Sequence, residues 1–299
     1  MTSTLTSWHL WARMIKWPHS VFALPFALIG AFMAGRHIEG VGRPYWGQLG
    51  LILVCMVSAR SVAMTFNRVA DAEIDARNPR TAARPLAAGT LGRAFAYGVL
   101  VLFAGTFGIA CLGFHVLYDN SWPMLLSGPV LVYLCGYSFT KRLTRWSHYY
   151  LGSALALSPL AAWLAVHPAS VGLPAVLLMV AVTCWVAGFD IIYACQDIEV
   201  DRRDGLFSLP SRLGPRGALW IARCSHVISA LALVVLGLWT GLGVLYWIGV
   251  VAASVLLAVE NALVHPGDYS KVNVAFFTVN GVVSVLLAVT TISDLLLTA

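Results

Sequence analysis

Asn67, Asp71 and Asp75 recur every fourth residue, and farther along the chain Asp190, Tyr193, Asp197 and Asp201 recur at steps of three and four. On a helix such steps line side chains along one face, so each stretch predicts a ladder of carboxylates at a helix end. Stacked carboxylates repel, and beside an apolar medium water screens them poorly, so a cation belongs among them. Magnesium suits the set, because it takes hard oxygen ligands, keeps several waters and bridges one or two carboxylates to substrate phosphates. The expected chemistry is a diphosphate clamped through magnesium, with Asn67, Asp71, Asp75, Asp197 and Asp201 as metal ligands. The plain alternative is two solvated helix ends. It leaves unexplained why Asp71, Glu73, Asp75, Asp190, Asp197, Glu199 and Asp201 crowd into two segments when the whole chain holds only 13 acids.

A departing diphosphate also needs cationic partners as its charge develops. Arg60 lies seven residues, about two helical turns, before Asn67 and inside an apolar run. An arginine there costs about 2.5 to 3.5 kcal/mol on insertion scales, so it faces a polar cavity, as a substrate contact or as a structural ion-pair partner. Tyr137 and Lys141, four apart, offer a hydroxyl and an ammonium on one face; a terminal lysine that merely snorkels fits the spacing as well. Arg77, Arg80 and Arg84 follow the first cluster in a loop with Pro79 and Pro85, where phosphate binding and attraction to lipid headgroups are equally good readings. Arg202 adjoins Asp201. It joins Arg77, Arg84, Tyr137 and Lys141 as an expected diphosphate contact.

The elements that must position these residues are membrane helices. The 299 residues are 59% hydrophobic and 11% charged, against roughly 45 to 50% and about 25% in soluble domains. Nine apolar runs are long enough to span a bilayer core, near 20–36, 47–66, 93–113, 122–139, 150–166, 172–194, 218–238, 244–264 and 272–296. They fill the chain, so residues 1–299 read as one transmembrane domain with no soluble module. The first 19 residues carry Arg13 and Lys16 and lack a small-residue cleavage site after a long apolar stretch, which argues against a cleaved signal peptide and for an amphipathic lead-in. The six cysteines are scattered through the apolar runs without metal-ligand spacing and read as small hydrophobes.

The net charge of +6 is no sign of a nucleic-acid partner, because of where the basic residues fall. In a nine-span arrangement nearly all of the 19 Lys and Arg sit on one side, with only Arg36 and Arg43 opposite and Arg60 within a span. The positive-inside rule puts that side, with the N-terminus and both acidic clusters, in the cytoplasm. The expectation is a multi-pass protein of the cytoplasmic (inner) membrane whose site opens to the cytoplasm.

In these residues the chain resembles the UbiA superfamily of intramembrane prenyltransferases. The family's NxxxDxxxD matches Asn67, Asp71 and Asp75, its DxxYxxxDxxxD matches Asp190, Tyr193, Asp197 and Asp201, its YxxxK matches Tyr137 and Lys141, and its preceding arginine matches Arg60. Arg68 stands where many members carry a further aspartate, which touches only the outer shell of the site. The resemblance implies an all-α integral membrane fold, nine transmembrane helices bundled around a central cavity. It also implies the reaction: two magnesium ions hold a polyprenyl diphosphate, its C–O bond ionises to an allylic cation, an aromatic ring attacks, and a proton leaves. Asp190, about two turns deeper than Asp197, is then expected with Arg60 and Tyr193 in the catalytic set, stabilising the cation or steering the acceptor.

The stretches from Met14 to Phe26, from Gly188 to Asp190 and on through Gly205 to Arg212 look like the quinone-pathway branch. The acceptor this implies is an aromatic acid, 4-hydroxybenzoate first, with 1,4-dihydroxy-6-naphthoate of the futalosine route to menaquinone as the alternative. A transporter, the reading from another class, would place its ionisable residues at the bilayer midplane on broken helices. Here they sit at helix ends. Phosphatidyl transfer from a CDP-linked lipid would need an Asp-Gly start and an Ala-Arg step inside a single motif on one helix pair, and no such motif is present.

Overall fold

The computed structural model describes residues 4–15 and 22–298, and among them the chain is helical with no strand beyond an isolated bridge between His265 and Asp268. Eight helical segments are long and apolar enough to cross a bilayer. These are α3 (Trp46–Ala70), α5 (Arg93–Tyr118), α6 (Trp122–Leu143), α7 (Ser147–Val166), the run 173–203 formed by α8 (Leu173–Ala194) and α9 (Ile198–Arg203), α10 (Leu209–Thr240), α11 (Val244–Leu263), and residues 274–297, which include α12 (Asn280–Leu297). They coincide with eight of the expected runs. The other, near 20–36, begins outside the described residues; its described part is α2 (Leu24–Gly35), an apolar helix of 12 residues. At 1.5 Å per residue that is roughly 18 Å, short of a ~30 Å core.

Large apolar side chains point outward along these helices, among them Val101, Ile109 and Val116 on α5 and Val244 and Val251 on α11. Water would penalise such stripes, whereas lipid matches them. Trp46 and Trp122 open α3 and α6 and Trp239 closes α10, all exposed, as aromatic anchors at a membrane interface are.

The chain divides into two compact units. One comprises residues 1–20 and 53–139. Its N-terminal helix α1 (Thr4–Met14) is more than a lead-in: Trp11, Met14 and Ile15 are buried with Ala72, Leu86, Leu91, Ala96 and Val99. Trp11 stacks on Phe103 at 5.3 Å and donates its indole N–H to Thr65 at 2.9 Å, so the indole loses no hydrogen bond on burial.

The other unit comprises 21–52 and 140–299, built on α2, α7, α8, α10, α11 and α12. Its helices approach closely because small residues sit at the crossings, the usual device where no hydrophobic effect drives helices together. A Cβ at Gly152 of α7 would fall on the Thr183 carbonyl of α8, and one at Gly188 of α8 on the His226 ring of α10. α10 bends sharply at Gly214, whose φ is 73°, before Pro215. The expected run from 218 is therefore only the second part of a helix that starts at Leu209.

Candidate active site

The first acidic ladder is broken at its middle rung. α3 ends at Ala70, Asp71 is non-helical (φ −98°, ψ 6°), and α4 (Ala72–Arg77) begins after it. The Asp71 and Asp75 N–H groups still bond the Asn67 and Asp71 carbonyls at 2.9 and 2.7 Å, so the four-residue step survives the break. The side chains nonetheless divide. Asn67 donates to Asp71 Oδ2 at 2.8 Å and to Ser138 Oγ at 3.3 Å. Asp75 turns to arginine: one Arg84 nitrogen donates to both its oxygens at 2.7 and 2.8 Å, and Arg68 adds a contact of 3.3 Å.

Burial pushes the Asp75 carboxyl up to about 6 while Arg68 pulls it down. It is therefore still charged at neutral pH and holds Arg84 by charge-assisted bonds. Arg84, expected on the diphosphate, is thus tethered to an expected metal ligand. Arg68, which the family resemblance marks only as a missing carboxylate, is the second tether. Arg77 is exposed, and half-buried Arg60 donates to the Ile15 carbonyl at 3.4 Å, close behind α1.

The second ladder also changes helix type along its length. α8 stops at Ala194, Cys195–Asp197 form one 3₁₀ turn, and α9 follows. Asp197 and Asp201 are buried, and Asp201 Oδ2 has no hydrogen-bond partner. The segment after α9 is tied down on every side. Gly205 takes φ 68° to turn the chain, Leu206 N–H bonds the Asp201 carbonyl at 2.8 Å, and Phe207 N–H bonds the Lys141 carbonyl at 2.7 Å. Arg202, expected on the diphosphate, donates from Nε to the Ser211 carbonyl at 3.0 Å. Ser208 and Ser211 form a reciprocal capping box that starts α10. Tyr137 and Lys141 lie one turn apart near the end of α6, both half-buried.

Asp190 brings in a residue that the sequence reading missed. His148, fully buried at the start of α7, lies with Nδ1 2.7 Å from Asp190 Oδ2 and accepts the Leu209 N–H at Nε2 from 3.3 Å. Tyr193 packs on Phe276 at 4.3 Å, and Phe276 also meets Phe22, Phe189 and Phe277, an aromatic cluster one face of which is the π-helix Val274–Val279.

Among the described residues no three His, Cys, Asp or Glu side chains converge as a metal cage. Magnesium does not require one, since substrate phosphate and water complete its shell. The partnerless, buried Asp201 oxygen fits a hard cation, because an ionised oxygen without a donor is costly unless a positive charge meets it. In the first cluster Asp75 has both oxygens engaged by Arg84.

Eight helical segments long and apolar enough to cross a bilayer, with carboxylates and arginines near the ends of several, define a class: a multi-pass membrane protein. Residues 23–282 match the UbiA prenyltransferase family, and the chain belongs to it. It is 31% identical over 255 residues to the 4-hydroxybenzoate octaprenyltransferase of Nitrosospira multiformis, covering 85% of each chain. In fold it is similar to a UbiA homolog from Aeropyrum pernix, with a TM-score of 0.82 and 28% identity over 93% of this chain and 98% of that one. A UbiA homolog from Archaeoglobus fulgidus, bound to GPP and Mg2+, shares the fold at a TM-score of 0.71 and 17% identity, over 96% of this chain and 99% of that one.

Proposed function

We propose that this chain transfers a polyprenyl group from polyprenyl diphosphate to 4-hydroxybenzoate in respiratory quinone biosynthesis. The observation that carries the reading is the match to the Nitrosospira multiformis 4-hydroxybenzoate octaprenyltransferase over 85% of both chains. The residues supply what the chemistry needs. Asn67, Asp71, Asp75, Asp197 and Asp201 would hold the magnesium. Lys141, Tyr137, Arg77, Arg84 and Arg202 contact the diphosphate. Bound magnesium supplies neutralisation of the charge that grows on the leaving diphosphate. Arg60 stabilises that same charge from within α3, while Tyr193 and Asp190 face the carbon half of the reaction. Asp190 stabilises the allylic cation and orients the phenol ring whose carbon attacks it. Apolar helices keep water from the cation and take up the isoprenoid tail.

The charge asymmetry supports the wider placement: one domain over 1–299, the run near 20–36 as the first of nine crossings, the N-terminus in the cytoplasm, and a site opening to the cytoplasmic face of the inner membrane. Purified protein with magnesium, labelled polyprenyl diphosphate and a panel of aromatic acids tests the acceptor. Prenylated 4-hydroxybenzoate is the expected product. Product with 1,4-dihydroxy-6-naphthoate alone would move the enzyme to the menaquinone branch, and no product with any acceptor would refute prenyl transfer.

A further inference from the structure

We propose that His148 is the positioning residue of the reaction: through its bond to Asp190 it keeps that carboxyl group fixed, with one oxygen committed and the other left for the acceptor side. The proposal rests on the prenyl-transfer reading above and adds a residue outside the four family motifs.

The hydrogen bonds around the ring fix which of its nitrogens carries a proton. Leu209 N–H, in the first turn of α10, has no intrahelical acceptor, and it points at His148 Nε2 from 3.3 Å. A donor there requires Nε2 to be the unprotonated nitrogen. The single ring proton of the neutral imidazole therefore sits on Nδ1, 2.7 Å from Asp190 Oδ2, and Oδ2 must accept it. An imidazolium would set two N–H groups against each other at Nε2, and a protonated Oδ2 would do the same at Nδ1. The geometry thus selects the Nδ1–H tautomer of His148 with Asp190 Oδ2 as its acceptor, and the tautomer is set by the backbone of a third helix.

The ring has no exposure, whereas the Asp190 side chain keeps 13%. His148 cannot touch substrate, so it acts through Asp190. The loop that supplies Leu209 is itself pinned: the Ser208–Ser211 capping box, Phe207 N–H on Lys141 and Arg202 on Ser211 leave the donor little freedom. A buried ring held at both nitrogens is a rigid prop for a carboxylate that must not drift as charge develops beside it.

The test uses the whole purified protein with magnesium, polyprenyl diphosphate and 4-hydroxybenzoate. His148→Leu removes the donor; loss of a hydrogen bond to a charged group predicts a kcat lowered about 10- to 100-fold, with KM for the diphosphate unchanged. His148→Asn, whose amide reaches the Nδ1 position, should restore most of the rate. His148→Gln, whose amide reaches the Nε2 position, should not. The double variant His148→Leu/Asp190→Asn should be no slower than Asp190→Asn alone, since both changes remove one unit. A merely structural histidine would lower yield and melting temperature for Asn and Gln alike, without this ordering. His148→Leu turning over like the unchanged enzyme would overturn the role, as would equal rates for Asn and Gln or additive losses in the double variant. If Leu at 148 prevents folding, the Asn-against-Gln comparison decides alone. No product from the unchanged enzyme would overturn the prenyl-transfer reading and this role together, whereas normal turnover with indifferent variants would overturn this role only.

Discussion

Asp201 is 3% exposed, and its Oδ2 meets no hydrogen-bond donor, so without a cation the fold leaves a buried carboxyl oxygen unsatisfied. An unsatisfied buried polar atom costs about 1 to 3 kcal/mol, and more when it is charged. Asp201→Asn keeps the shape and removes the charge, but its amide still lacks a partner, so only part of that cost is recovered, about 1 kcal/mol. For a chain of this size that is roughly 2 to 4 °C in melting temperature. The metal-free Asn variant should therefore melt slightly above the unchanged protein while its prenyl transfer falls below ~1%, the stability–activity trade expected of a destabilised functional group. Ligand binding reverses the order. At 100 times Kd a ligand adds about 2.7 kcal/mol to the native state, so magnesium with a non-hydrolysable prenyl diphosphate should raise the unchanged protein well above the variant. The assay is a thermal melt in detergent with and without both ligands, run beside turnover. A metal-free Asp201→Asn protein that melts several degrees lower yet turns over normally would show that Asp201 is an ordinary structural carboxylate.

Asp71→Ala and Asp197→Ala should each abolish turnover and leave a protein that elutes as a folded species on size exclusion; substantial activity in both would show that the ladders are structural. Arg84→Gln strips Asp75 of its doubly bonded partner but leaves Arg68 at 3.3 Å. A destabilisation of about 1 to 3 kcal/mol is expected, below the 3 to 5 for a fully buried pair because the Arg84 side chain keeps 25% exposure. Adding Asp75→Asn should recover part of it in chemical denaturation. Gly152→Val drives a Cβ into the Thr183 carbonyl, so the α7–α8 crossing must open, and the melting temperature should drop by more than for valine at lipid-facing Gly105, which has open space around it.

The transmembrane helices were legible because a bilayer imposes one simple rule, a run of about 20 apolar residues, and hydropathy alone reads it. Their ends were less so. α3 reaches Ala70 and α6 reaches Leu143 because the helical hydrogen-bond ladder continues past the hydrocarbon into polar residues, where hydropathy has already fallen. The start of α10 at Leu209 hid behind the Gly214–Pro215 kink. For the site, spacing identified the acids but assumed unbroken helices; Asp71 and the Cys195–Asp197 turn depart from that. The Asp75–Arg84 bond and the His148–Asp190 bond were invisible for a different reason. Arg84 is nine residues from Asp75 through a proline loop, and His148 is 42 from Asp190, so no periodicity links either pair. The histidine follows Arg145 and Trp146, where it reads as one more interfacial residue. Only packing on α8 and on the capped start of α10 reveals its partners.

The proposed activity of this chain is prenylation of an aromatic ring by magnesium-held diphosphate chemistry. The most direct measurement follows product and released diphosphate together in one reaction of purified protein, polyprenyl diphosphate and 4-hydroxybenzoate. Prenylated acceptor and diphosphate should appear in equal amounts, stop on addition of EDTA, and resume when magnesium is restored in excess. Product that forms undiminished in EDTA, or diphosphate released with no prenylated ring, would contradict it.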